Sequence, residues 1–104
     1  MENLEQICFE IISNVGSARS IYINAIQEAK QGDMEKAREM IEEGNSVFVK
    51  GHHAHAKLVQ KEAAGESTII SLLLVHAEDQ LMSAESFKIL AVEFIDVYKA
   101  IALK

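Results

Sequence analysis

Four polar side chains in one stretch of the sequence are spaced so that a helix would present them together. In the order i, i+3, i+4 and i+7 they are His76, Asp79, Gln80 and Ser83. This spacing places all four along one stripe of an α-helix. An unperturbed imidazole titrates near pH ~6.5, so the ring of His76 can act at neutral pH as a nucleophile, a base or a metal ligand. From spacing alone, a core histidine satisfied by a neighbour is an equally good interpretation.

The residues just before this stripe would cover every direction around a helix axis with apolar side chains. They are Ile69, Ile70, Leu72, Leu73, Leu74 and Val75. A helix that is apolar all round is expected to be buried all round. The sequence predicts three helices, as described below, and each helix of a three-helix bundle keeps one side free. This segment therefore needs a further partner. A closed cyclic homo-oligomer that buries the segment at its centre is the simplest one.

Such an oligomer would bring the copies of Asp79 together. Several buried carboxylates cannot all remain charged without a shared proton or a cation. A hard divalent ion with oxygen ligands would satisfy them. A solvated Asp79, or one paired with a lysine, is the alternative, and the sequence by itself favours that alternative.

A histidine cluster earlier in the chain offers a second set of ligands. His52 and His55 are separated by one helical turn and could share a metal ion, with His76 as a third ligand. His53 points elsewhere. The favoured interpretation is that one or two of these histidines line the pocket around His76 and that the rest are solvated.

Composition and charge exclude several classes of protein. The 104 residues are 49% hydrophobic, and the lack of proline together with 6% aromatics favours helix over sheet. The net charge of −6 argues against nucleic acid and anionic membranes as partners. A lone cysteine, Cys8, provides no disulfide framework, which fits a reducing cytoplasm. Neither a signal-peptide pattern nor an apolar run long enough to span a bilayer is visible, so membrane insertion is not expected.

Three amphipathic segments separated by two breaks predict an all-α protein. The breaks are Gln31-Gly32-Asp33 and Ala64-Gly65-Glu66-Ser67. The helices are predicted at about residues 3–30, 34–62 and 67–103. The residues that suit their N-caps are Asn3, Asp33, and either Ser67 or Thr68. Short connections favour an antiparallel, up-down-up three-helix bundle that forms a single domain over residues 1–104.

The stretch that contains the polar stripe resembles a known active-site segment. Its sequence is Leu73-Leu74-Val75-His76-Ala77-Glu78-Asp79-Gln80-Leu81-Met82. It is similar to the corresponding segment of the lactose/cellobiose class of enzyme IIA proteins, which belong to the bacterial phosphoenolpyruvate-dependent sugar phosphotransferase system. The first helix and both turns resemble that family as well, in register with the motif, so the similarity spans nearly the whole chain.

This resemblance implies a fold, a reaction and a set of partners. It implies a three-helix subunit assembled as a homotrimer, with one divalent ion, Mg²⁺, held between subunits by the residue that matches Asp79. It also implies that the phosphocarrier protein HPr passes a phosphoryl group to His76. From there the group would go to a cysteine of the cognate enzyme IIB, and then to a sugar during uptake through the membrane enzyme IIC.

One departure from the family pattern affects the expected chemistry. The family usually has a histidine where this chain has Gln80, and an amide can hydrogen-bond but cannot carry a positive charge near neutral pH. Gln80 is therefore interpreted as a pocket residue. Hydrogen bonds to the phosphate are expected from His52, His55 or Ser83, either within the subunit or across a subunit boundary.

Two other classes of function compete with phosphoryl transfer. In one, the chain is a non-enzymatic helical module that binds a metal or a partner through its histidines. In the other, it is a purely structural oligomer in which His76 has no chemical role. The sugar is left open among lactose, cellobiose, chitobiose and other β-linked disaccharides, because the resemblance places specificity in the membrane partner.

Overall fold

The computed structural model describes residues 4–104, which form three long α-helices. They are α1 (Leu4–Lys30), α2 (Met34–Ala63) and α3 (Leu72–Ala102). Short connections make sequential helices antiparallel, and the bundle is elongated, with extents of 56 × 21 × 16 Å. The predicted all-α, up-down-up bundle is confirmed. A single chain does not test the predicted trimer.

The first helix is the centre of the bundle. α1 packs extensively against both other helices, whereas α2 and α3 touch each other much less. This follows from its continuous apolar stripe, which is spaced by three and four residues. The buried residues of the stripe are Ile7, Cys8, Ile11, Val15, Ala18, Tyr22, Ala25 and Ala29. α1 therefore supplies the surface against which the other two helices are positioned.

Two glycines of α2 allow it to approach α1 closely. A Cβ added to Gly44 would lie 2.6 Å from Cε1 of Tyr22, and one added to Gly51 would lie 2.5 Å from Cγ1 of Val15. The two glycines are seven residues apart, so they share one face of the helix. The Tyr22 ring lies against Gly44, and its hydroxyl donates a 2.7 Å hydrogen bond to Oδ1 of the next residue, Asn45.

The first connection forms as its sequence predicts. Gly32 adopts a left-handed conformation with φ of 98°, which costs glycine little because it has no Cβ. The Asp33 carboxylate accepts a 3.1 Å hydrogen bond from the Lys36 amide, so Asp33 is the N-cap of α2. Asn3, the predicted N-cap of the first helix, lies outside the described residues.

The third helix begins later than the sequence predicts. Neither Ser67 nor Thr68 is its N-cap. Instead, α3 starts at Leu72, and the Ser71 hydroxyl accepts a 3.2 Å hydrogen bond from the Leu74 amide. The β-branched residues before Ser71 favour extended backbone over helix. The two consecutive isoleucines, Ile69 and Ile70, consequently belong to the connection and are about four-fifths exposed, at 79% and 80%.

The outward face of α3 remains apolar within one chain. Leu72, Leu90 and Val97 are 86%, 49% and 51% exposed. They lie close to whole helical turns from Asp79, so all four share a face. The expectation that residues 69–75 are buried all round is not met by the subunit alone, where only Leu73 and Leu74 of the apolar residues in that range pack against the core. No helix between residues 4 and 104 has the combination of length and apolarity that crossing a membrane requires.

Candidate functional site

His76 lies on the exposed side of the second turn of α3. Its neighbour Ala77 is the first fully buried residue of that helix, and Val75 on the other side is 53% exposed. The backbone of His76 is therefore held by a well-packed helix while its imidazole faces outward. This arrangement suits a nucleophile that must be reached by another protein.

The rest of the polar stripe lies where its spacing predicts. Asp79 is exposed, and Gln80 and Ser83 are half-buried. The Ser83 hydroxyl accepts a 3.1 Å hydrogen bond from Nη1 of Arg19. Since Ser83 follows His76 by about two turns, it points in nearly the same direction.

Arg19 of α1 reaches this stripe through Ser83, and the sequence prediction missed it. Its guanidinium lies over the ring of Phe87, 5.8 Å from the centroid, while it donates to Ser83. An arginine held by an aromatic ring and a hydroxyl is a fixed positive charge. One feature of the sequence could have pointed to Arg19: it stands alone as a basic residue in the middle of α1, where Lys30 at the end of the helix is the only other one.

His55 lies on the other flank of α3 from His76. Its Nε2 is 2.7 Å from Oε1 of Glu78, in a pair whose side chains are 20% and 42% exposed. Glu78 follows His76 by two residues and so points about 200° around the helix from it. Within one chain the structure therefore brings His55 to Glu78. The prediction that His55 lines the pocket around His76 then requires a second subunit.

His52 packs against the aromatic side chain one turn before it. Its ring stacks on Phe48 with centroids 6.4 Å apart and an interplanar angle of 18°. The ammonium group of Lys88 lies over the same phenyl ring, 5.4 Å from its centroid. His52 is otherwise exposed, and its predicted contact with a phosphate stays a prediction.

The metal sites considered from the sequence are not assembled within the described part of one chain. Among residues 4–104, no three His, Cys, Asp or Glu side chains form a group that could hold a metal ion. The set His52, His55 and His76 is therefore not a site within one subunit. Asp79 offers a single exposed carboxylate, which fits a divalent ion only if further copies of the chain contribute theirs.

Glu78 also faces a buried thiol of α1. Cys8 is fully buried, and its pKa is raised first by burial and then by the negative charge of Glu78. Such a thiol is protonated at neutral pH and is a poor nucleophile. Cys8 thus belongs to the core.

An apolar groove opens beside Glu78 at this end of the bundle. It has a volume of about 320 Å³ and lies between the end of α2, the connection at residues 64–71 and the start of α3. Leu58, Ile70 and Val75 contribute apolar surface, while Glu62 and Glu78 contribute carboxylates. The end of the bundle that carries His76 is thus partly apolar and acidic.

Comparison with known proteins identifies the family. The sequence model of the lactose/cellobiose-specific IIA subunit of the phosphotransferase system matches residues 6–99. The chain is 44% identical over 100 residues to the lichenan-specific phosphotransferase enzyme IIA component of Bacillus subtilis, covering 96% of this chain and 91% of that protein.

Solved structures agree with this sequence match. The cellobiose-specific enzyme IIA of Bacillus anthracis superposes with a TM-score of 0.94 at 46% identity, covering 100% of this chain and 96% of that one. The IIA(chitobiose) component of Escherichia coli, solved in complex with HPr, gives a TM-score of 0.84 at 31% identity and covers 98% and 99% of the two chains. With its three-helix fold and the exposed His76, this chain belongs to the lactose/cellobiose-specific IIA family of the sugar phosphotransferase system.

Proposed function

We propose that this chain accepts a phosphoryl group from HPr on His76 and passes it to a cysteine of a cognate enzyme IIB in the cytoplasm. The observation that carries the proposal is the exposed imidazole on a firmly packed helix of a IIA-family protein. The complex of the E. coli relative with HPr supports HPr as the donor. The relatives differ in specificity, lichenan for the B. subtilis protein and chitobiose for the E. coli protein, so the sugar is proposed only as a β-linked one chosen with the membrane partner, enzyme IIC.

The first transfer is an in-line displacement at phosphorus. One unprotonated ring nitrogen of His76 supplies the electron pair of the new N–P bond, and the bond from phosphorus to the donor atom of HPr breaks with its electrons remaining on HPr. The proton on the other ring nitrogen of His76 stays there during the transfer. In the second step a thiolate of enzyme IIB forms an S–P bond, and the N–P electrons return to His76.

The charges near His76 favour onward transfer. Asp79 lies one turn beyond His76 on the same side of α3, and its charge repels a phosphoryl group on the imidazole, which keeps the group from being trapped. Gln80 and Ser83 lie on the His76 stripe and would provide neutral hydrogen bonds to it. His52 would reach this phosphate from a neighbouring subunit, whereas His55 is held by Glu78 on the other flank of α3 and is not assigned to the phosphate.

A trimer is proposed as the working form. The outward face of α3 exposes Leu72, Leu90 and Val97 around Asp79, and isolated subunits rarely leave such a face unpaired. Packing three copies of this face about an axis buries those side chains and brings three Asp79 carboxylates together. A divalent ion such as Mg²⁺ would neutralise them there.

A metal-binding module is the alternative function, and the geometry favours it less. His55 is engaged by Glu78 and His52 is stacked on Phe48, so within the described chain neither histidine is joined to His76. A transition metal would require these histidines to leave their present contacts or to meet across subunits.

The proposed function is tested by phosphorylation in vitro. Incubation with phosphoenolpyruvate, enzyme I and HPr is expected to place one acid-labile phosphate on the wild-type chain and none on His76→Ala. His53→Ala is the matched control, because His53 is an exposed histidine of α2, and it should be labelled normally. Labelling of the His76→Ala variant, with an unchanged helical circular-dichroism spectrum, would refute the assignment.

A further inference from the structure

A polar contact joins α2 to α3 close to the proposed phosphorylation site. Nε2 of His55 lies 2.7 Å from Oε1 of Glu78. His55 is in the last third of α2, whereas Glu78 is two residues beyond His76 on α3. Cys8, whose pKa is raised by burial and by Glu78, and Glu62, which shares the adjoining groove, provide no positive charge for the Glu78 carboxylate. His55 gives that carboxylate a polar partner on α2.

The first turns of α3 are partly packed, because Leu73 and Leu74 lie half-buried against the core. Before Ala77, no residue of α3 is fully buried, and Leu72 is 86% exposed. The preceding connection is not helical, and α2 and α3 share the smallest of the three helix contacts. Packing on α1 sets the position of α3, and near the start of α3 the His55–Glu78 contact adds a direct polar link to α2.

We propose that His55 is a positioning residue for phosphoryl transfer at His76, acting through its contact with Glu78. The inference rests on the proposed function. By holding Glu78, His55 fixes the rotation of the first turns of α3 and thus the direction of the His76 ring on the opposite flank. A side-chain tip lies ~5–6 Å from the helix axis, so a rotation of about 10° moves it by about 1 Å.

A displacement of this size matters for an in-line reaction. Misplacing reacting groups by about 1 Å can cost up to ~100-fold in rate. The loss is in the reactive geometry and not in the docking surface, because neither His55 nor Glu78 is assigned to the contact with HPr. The first-order rate of phosphoryl transfer should therefore fall while the HPr concentration for half-maximal rate stays the same.

The experiment compares alanine and amide variants of both residues. Single-turnover transfer from phosphorylated HPr is measured at several HPr concentrations for His55→Ala, Glu78→Ala, their double variant, His55→Gln and Glu78→Gln. Either alanine variant is expected to lower the limiting rate about five- to tenfold. The amide variants retain a donor or an acceptor for the contact, so they should stay within about threefold of wild type. The double variant should be no slower than either single alanine variant.

Several results would overturn the inference. If Glu78→Gln loses as much rate as Glu78→Ala, the charge of Glu78 acts directly and positioning is wrong. Additive rate losses in the double variant would also contradict the inference. So would alanine variants that have a lower melting temperature but transfer phosphate at the wild-type rate when assayed well below that temperature. Wild-type protein that takes no phosphate from HPr refutes the proposed function itself. If the wild type is labelled and the alanine variants transfer phosphate at the same rate, only the positioning role of His55 is refuted, and the proposed function stands.

Discussion

The residues around His76 have separate tasks according to the side of α3 that they occupy. Gln80 and Ser83 lie on the His76 stripe, and Arg19 from α1 reaches the same stripe through Ser83. Glu78 points to the opposite flank, where His55 contacts it. One helix thus presents the proposed nucleophile on one side and its proposed anchor on the other.

A buried phenol provides a pH-dependent test at the residue scale. Burial raises the pKa of Tyr22 from 10.0 to about 12. Folding therefore favours the protonated hydroxyl, and this contribution to stability is complete below pH ~10 and is lost as the pH rises toward ~12. Urea unfolding of the wild type is expected to show a falling free energy of unfolding above pH ~10.

The matched variant isolates that contribution. Tyr22→Phe keeps the ring against Gly44 and removes the hydroxyl that donates to Asn45. It should be less stable than wild type at pH ~8 by about 0.5–1.5 kcal/mol, the usual net contribution of a hydrogen bond. The difference should shrink above pH ~10. A difference that stays constant or grows with pH would contradict the origin assigned to it.

At the scale of helices, the close contact of α1 with α2 determines how the site is supported. Gly44 and Gly51 remove side chains where Tyr22 and Val15 pack, so the two helices approach closely along one face. α3 then packs mainly against α1. The position of His76 relative to α2 is therefore set indirectly, through α1. The His55–Glu78 contact is a direct link between α2 and α3.

Two glycine-to-alanine substitutions test this helix packing in opposite directions. Gly51→Ala places a Cβ 2.5 Å from Cγ1 of Val15 and is expected to destabilise the protein by ~1–3 kcal/mol. Gly16→Ala meets nothing within 4 Å in a helix and should stabilise it by about 0.5–1 kcal/mol. Urea denaturation measures both. A neutral or stabilising Gly51→Ala would show that the contact yields without cost.

At the scale of the whole molecule, a single subunit leaves an unusual surface. The core is built on α1, while the outward face of α3 exposes leucine and valine around one aspartate. This combination is costly for an isolated subunit, and the proposed association with copies of itself would bury it.

Subunit association is tested by disrupting that face. Leu90→Asp places a charge among the exposed apolar residues of α3 and is expected to convert the proposed trimer to monomers, measured as molar mass by light scattering. Val49→Asp is the control, because Val49 is 47% exposed on α2 compared with 49% for Leu90, and its mass should not change. A wild-type protein that is monomeric in solution would refute the proposed trimer.

The proposed ion between subunits has a separate test. If three Asp79 carboxylates meet, chelation by EDTA leaves them repelling one another and should lower the melting temperature of the wild type. Asp79→Asn removes the charges, so its melting temperature should be insensitive to EDTA and Mg²⁺. Equal responses of the two proteins would argue against an ion at Asp79.

The sequence alone determined the features that depend on local spacing. Three helices, the Asp33 cap, the stripe of His76, Asp79, Gln80 and Ser83, and the family followed from periodicity, turn residues and motif, because these are properties of neighbouring residues. The start of α3 was predicted too early, since Ser67, Thr68 and Ser71 all suit a cap and only the folded chain selects Ser71.

Only the tertiary structure decided which side chains of different helices meet. The contacts of Arg19 with Ser83 and of His55 with Glu78 depend on the rotation of each helix about its axis. That rotation is set by the packing of the whole core, including the two glycines that bring α1 and α2 together. No local pattern encodes it, which is why the sequence assigned His55 to the His76 pocket while the fold of one chain places it against Glu78.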